Sequence, residues 1–148
     1  MEYERHHITF ISRTMQLLNQ YQTSIIGKVP KSEEFEVTLL INCLLGLLIV
    51  PNEQCYNKIP LKDFVDLHSW GILPEYVTFP NAQVNNLRQF VRLLRNCTAH
   101  GSVTPKGNGR EITDLIFEDN QSDFRFRAII PVKNLKLFVT KLCESVQR

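Results

Sequence analysis

The run Leu39-Leu40-Ile41-Asn42-Cys43-Leu44-Leu45-Gly46-Leu47-Leu48-Ile49-Val50, broken only by Asn42 and Gly46, constrains this chain most. A bilayer span needs about 20 apolar residues, so twelve are too few to cross one. A helix that is apolar nearly all round has to be enclosed by other elements. The run therefore predicts a central buried helix with the rest of the chain wrapped around it.

Three other segments carry the 3.6-residue period of such wrapping helices. In residues 4–26, Ile8, Ile11, Met15, Leu18 and Ile25 form one stripe, and Gly27 and Pro30 end it. Ser32 followed by Glu33, Glu34 and Glu36 caps the start of the central helix, which is predicted to stop at Pro51. A third helix begins near Asn81 as N-cap. It places Val84, Leu87, Val91, Leu94 and Thr98 on one side and Asn85, Arg88, Gln89, Arg92, Arg95, Asn96 and His100 on the other. Gly101 is the residue type expected just past its end. The last helix opens at Pro131 and carries Val132, Leu135, Val139, Leu142 and Val146.

Residues 51–80 hold Pro51, Pro60, Pro74 and Pro80 and read as a connection over the core. One short helix through Leu61, Phe64, Val65 and His68 is closed by Trp70-Gly71. Residues 101–110, with Gly101, Pro105, Gly107 and Gly109, read as a loop without P-loop spacing. Ile112–Phe117 and Phe124–Ile130 alternate as strands, with the turn at residues 119–123. The expected fold is mainly α: four long helices with a short β-hairpin, residues 111–130, before the last, in a single domain over 1–148. A chain of 148 residues buries roughly 70% of its unfolded surface and needs neither disulfide nor metal to fold.

Seventeen Lys+Arg against fifteen Asp+Glu leave a net charge of +2, which says little about partners and suits a local polyanion site better than broad coating of nucleic acid. The distribution is uneven. No carboxylate falls between Glu75 and Glu111, a window holding Arg88, Arg92, Arg95, Lys106 and Arg110. This is a local polyanion site or an ordinary solvated helix face. Cys43, Cys55, Cys97 and Cys143 show no zinc spacing and suit a reducing cytoplasm as small buried hydrophobes. The polar start, Met1 to His7, lacks the apolar stretch of a signal peptide. His6 and His7 point to different sides of a helix, so no metal site is expected there.

Arg95-Asn96-Cys97-Thr98-Ala99-His100 places a cation, an amide and an imidazole at one helix end. An Arg fork matches a phosphate, and His exchanges protons near neutrality. Cleaving RNA by its own 2′-hydroxyl needs a base, a cation for the phosphorane and an acid for the leaving oxygen. His100 is the candidate base, Arg95 the phosphate clamp, and Asn96 a group that orients the imidazole or holds a phosphate oxygen. Arg88, Arg92 and Arg110 are candidate phosphate contacts. Five residues put Arg95 and His100 about 140° apart around the helix, and one imidazole cannot flank both sides of phosphorus. A two-fold dimer answers both difficulties by bringing a second Arg95 and His100 into one cleft. The alternative is an ordinary helix end, with His100 capping carbonyls and Arg95 solvated.

The Arg95-Asn96-x3-His100 motif, within this order of elements, resembles the HEPN superfamily over most of the chain. The run from Leu39 to Leu48, followed by Val50-Pro51-Asn52-Glu53, resembles the small stand-alone HEPN proteins of bacteria and their plasmids. The residues themselves assign no role to Asn52-Glu53. The resemblance implies a metal-independent, cofactor-free endoribonuclease working on RNA, with its site where two subunits meet. It also implies a place in toxin–antitoxin or phage-defence systems, with an antitoxin as possible partner. The other reading it implies is a non-catalytic dimeric module that binds a nucleotide or a partner protein.

Overall fold

The computed structural model describes residues 6–78, 84–109, 111–120 and 125–148. The chain is mainly helical, with five α-helices rather than four. They are α1 (His6–Ser24), α2 (Glu36–Leu44), α3 (Val50–Gln54), α4 (Leu87–Ala99) and α5 (Val132–Val146). The strands are β1 (Val77–Thr78), β2 (Val103–Gly107), β3 (Ile112–Asp119) and β4 (Phe126–Pro131).

The apolar run does form the centre. Leu40, Leu44, Leu47 and Leu48 are fully buried, enclosed by α1, α4 and α5. Pro51 does not stop the helix. A π turn over Leu45–Ile49 joins α2 to α3, with Val50 N–H donating to the Leu45 carbonyl. Pro51 sits near the start of α3 with no N–H for the ladder, and the Leu47 carbonyl one turn back accepts instead from the Cys143 thiol at 4.0 Å. Helical structure thus continues to Gln54. By length and composition alone the stretch Lys31–Gln54 is long and apolar enough to cross a membrane; here Leu40, Leu44, Leu47 and Leu48 lie in the core, while Leu45 is exposed.

Gly46, inside the π turn, lets α1 come close. A Cβ there would collide with the Thr14 hydroxyl and lie 3.0 Å from Thr14 Cβ and 3.1 Å from the Phe10 ring. Gly46→Ala gains up to about 1 kcal/mol in helix propensity, while overpacking costs about 1–3 kcal/mol. A net loss in urea unfolding is expected, largely relieved in the double variant with Thr14→Ala. An unchanged midpoint for the single variant would contradict this packing.

The predicted stripes hold except at Ile25, which lies past the end of α1 at Ser24 and outside the core. On α1, Ile11 is buried and Ile8, Met15 and Leu18 pack against the core. Leu135, Phe138, Val139, Leu142, Cys143 and Val146 bury one face of α5. The third predicted helix starts later than expected, at Leu87 with Asn86 as N-cap; Asn81 lies outside the described residues. The connection holds short 3-10 turns, the longest at Phe64–Trp70, closed by Gly71 at φ 88°.

The hairpin is the middle of a larger sheet. The antiparallel order is β1-β4-β3-β2, with Phe117 opposite Ala128 and Leu115 opposite Ile130. Leu115, Phe117, Phe126, Ala128 and Ile130 turn inward, as the alternation predicts. The predicted turn at 119–123 lies largely outside the described residues, and Asp119 closes β3. Within the predicted loop 101–110, Val103–Gly107 form strand β2. Pro105 stands there opposite Leu115, tolerated because β2 is an edge that needs no second neighbour.

All four cysteines are free and buried. Burial first, then Asp119, pushes the Cys97 thiol up to about 12. Burial first, then Cys55, does the same for Cys143, also to about 12. In the unfolded chain these thiols ionise near 9. The folded state therefore holds more protons between the two values, and stability falls as pH rises from about 9 toward 12. Chemical denaturation at pH 8 and pH 10.5 is expected to show lower stability at the higher pH, with no thiol labelling of the native protein at pH 8.

Candidate functional site

α4 carries the Arg–Asn–His residues, and its two ends are fixed. At the start, the Asn86 side chain accepts from Gln89 N–H at 3.0 Å, and Gln89 Oε1 accepts from Asn85 N–H at 2.8 Å. At the end, Ser102 N–H donates to Cys97 O at 2.8 Å and Gly101 N–H to Thr98 O at 3.2 Å. Gly101 is left-handed at φ 68°. These paired bonds form a Schellman turn, so the backbone beneath His100 is held. Leu94 and Cys97, fully buried, anchor the same turns to the core.

Arg95 points along the helix surface and not toward His100. Its Nη1 donates to Asn96 Oδ1 at 3.1 Å. Its Nε lies 2.8 Å from Glu53 Oε1, which also accepts from Asn52 Nδ2 at 3.0 Å. The Arg95 Nε contact is an ion pair without hydrogen-bond alignment. Among the described residues, Nε and Asn52 Oδ1 are shielded from solvent and make no hydrogen bond. Arg95 is 28% and Glu53 43% exposed, so water screens the pair in part.

The elements converge for a reason set in the sequence. The π turn and Pro51 carry the chain past the core into α3, which packs on α4. That brings Asn52 and Glu53 beside Arg95. Asn52, Glu53, Tyr56, Arg92, Arg95 and Asn96 line an open cleft of about 500 Å³. Two guanidiniums face one carboxylate there, a balance that favours an anion.

His100 is exposed at the helix C-cap and does not line that cleft. Within one chain Arg95 and His100 are not brought into one cleft. Asn96, expected to serve the imidazole or a phosphate, gives its carbonyl oxygen to Arg95. Arg92 is exposed on the cleft wall. Arg88 departs from its predicted role. Its Nε donates to Ile59 O at 2.8 Å and its Nη2 to Asn57 O at 3.2 Å, which ties α4 to the segment after α3. Arg110 lies outside the described residues.

Glu53 and Tyr56 are the site residues that the charge pattern missed. The window around α4 lacks carboxylates in sequence, but folding imports one from α3. The signal was the Asn52-Glu53 pair, placed just where the apolar run ends. Among the described residues, no group of three or more His, Cys, Asp or Glu side chains is placed to hold a metal ion.

A family model described as HEPN pEK499 p136 matches residues 1–148. No curated protein matches the chain, and no solved structure does.

Proposed function

The chain belongs to the HEPN pEK499 p136 family, and on that footing we propose that it is a metal-independent endoribonuclease whose site is completed by two copies of the chain. One observation carries the reading. Arg95 lines an open, net-positive cleft on the same pinned helix whose C-cap is the exposed His100.

Within one chain the two groups face apart, so a two-fold pairing at the end of α4 supplies the missing partners. One His100 takes the 2′-hydroxyl proton, and the 2′-oxygen forms a bond to phosphorus. The P–O5′ bond breaks, and the second His100 protonates the departing 5′-oxygen. Arg95 stabilises the charge that grows on the phosphorane, while Asn96 and Glu53 hold its guanidinium. The products are a 2′,3′-cyclic phosphate and a 5′-hydroxyl. DNA lacks the nucleophile and resists. Single-stranded or looped RNA in the cytoplasm is the substrate, since stacked duplex opposes in-line attack. A toxin or phage-defence role goes with this reading, and growth arrest on expression, relieved by His100→Ala, is its cellular sign.

The Glu53 carboxylate on Arg95 favours a second reading, a dimeric module that binds a nucleotide or a partner protein without cleaving. RNA incubated with the protein in EDTA separates the two. Cleavage ending in cyclic phosphate, lost in both His100→Ala and Arg95→Ala, supports the nuclease. Nucleotide binding with intact RNA supports the module.

A further inference from the structure

We propose that the cleft beside Arg95 is a nucleobase subsite, with a base stacked on Tyr56 and guanine preferred through Glu53. This rests on the reading that Arg95 faces an RNA phosphate.

Tyr56 is 40% exposed and lines the cleft. The Arg88 guanidinium lies 5.2 Å from its ring centroid and does not line the cleft. Arg88 is itself clamped by the Ile59 and Asn57 carbonyls, so it backs the ring while the ring fronts the cleft. An aromatic face held in this way is what unstacked RNA bases settle on. The volume of about 500 Å³ suits a nucleotide and is larger than a bare phosphate needs.

Glu53 argues for a base more strongly than the volume does. A carboxylate 2.8 Å from Arg95 holds the guanidinium but also repels a phosphate, a cost that a ligand of phosphate alone leaves uncompensated. The carboxylate makes sense if the ligand also brings N–H donors. Its Oε1 is taken by Arg95 and Asn52, which fixes the group and leaves Oε2 for the ligand. Guanine offers two adjacent donors, N1–H and N2–H, that can converge on that one free oxygen while Oε1 keeps its two partners. Adenine and cytosine offer an amino group beside a bare ring nitrogen, and uracil offers one N–H between two carbonyls. Arg92, exposed on the same wall, is placed for the phosphate that follows the base.

The test is titration of the full-length protein with 5′-GMP, 5′-UMP and ribose 5-phosphate, followed by calorimetry or NMR. GMP is expected to bind about tenfold more tightly than UMP or ribose 5-phosphate, the scale of one stacked and hydrogen-bonded base. Tyr56→Ala is expected to bring GMP down to the level of ribose 5-phosphate, and Tyr56→Phe to keep the difference. Glu53→Gln is expected to remove the preference for GMP over UMP, and this serves as the test if Tyr56→Ala does not fold. The proposal is overturned if the three ligands bind alike or not at all, if another base is preferred, or if the difference survives Tyr56→Ala. Metal-free cleavage with no base preference in binding sinks the subsite alone. Base-selective binding without cleavage sinks the nuclease reading alone.

Discussion

Replacing His100 by alanine is expected to lower metal-free RNA cleavage by roughly 10²–10⁴-fold, the range for losing a general acid or base. The size follows from the proposed two-copy site, in which a homodimeric variant would lose both proton-transfer groups at once. The fold is expected to be untouched. His100 is exposed, and its backbone is held by the Gly101 and Ser102 amides whatever the side chain. Arg95→Lys is the companion variant. Lysine keeps the charge and loses the planar fork that meets both Asn96 and a phosphate, so most activity is expected to go while stability stays within about 1 kcal/mol. The check is initial rates in EDTA beside urea unfolding of the same preparations. A His100→Ala protein that cleaves at the original rate removes the imidazole from the chemistry.

Phe90→Ala is expected to produce the largest loss of stability, about 3–5 kcal/mol. Phe90 is fully buried on α4. Its ring meets Phe138 of α5 edge-on at 5.3 Å, Phe64 of the 3-10 connection at 5.4 Å and Phe126 of β4 at 6.3 Å. One side chain therefore joins the helical bundle, the sheet and the connection, and its removal leaves a cavity bordered by three separate elements. For a chain of this size each kcal/mol moves the melting temperature by roughly 2–4 °C, so thermal unfolding is expected roughly 10 °C lower. Phe90→Leu keeps most of the volume and is expected to cost less. A loss below about 1 kcal/mol for the alanine variant would show that the three elements do not share this core.

Burial patterns were legible in the sequence because they are periodic. The stripes of α1 and α5 and the inward residues of β3 and β4 follow directly from spacing. The end of α4 was legible too, since a glycine is the residue type that reverses a helix at low cost. Where the reading failed, a local signal was overridden by a neighbour far away in sequence. Pro51 reads as a stop until a π turn accommodates it. Pro105 and the glycines around it read as a loop until β3 offers a partner to an edge strand.

Charge failed for the same reason. Arg88 reads as free for phosphate but commits Nε and Nη2 to the Ile59 and Asn57 carbonyls. Glu53, more than forty positions before Arg95 in the chain, reads as unrelated and turns out to touch it. The motif named the helix end, but only the packing of α3 on α4 revealed the cleft. Asn96 shows the limit of helix-wheel reasoning: a face shared with His100 did not decide which neighbour its amide meets.

The proposed mechanism needs two imidazoles, one from each copy, to share a single reaction. A heterodimer of one wild-type chain and one His100→Ala chain, isolated through two different tags and assayed on RNA in EDTA, tests this directly. Shared chemistry predicts that the one substitution removes nearly all cleavage, to about a tenth of wild type or less. Half the wild-type rate would mean that each chain works by itself, and the two-copy site would be wrong.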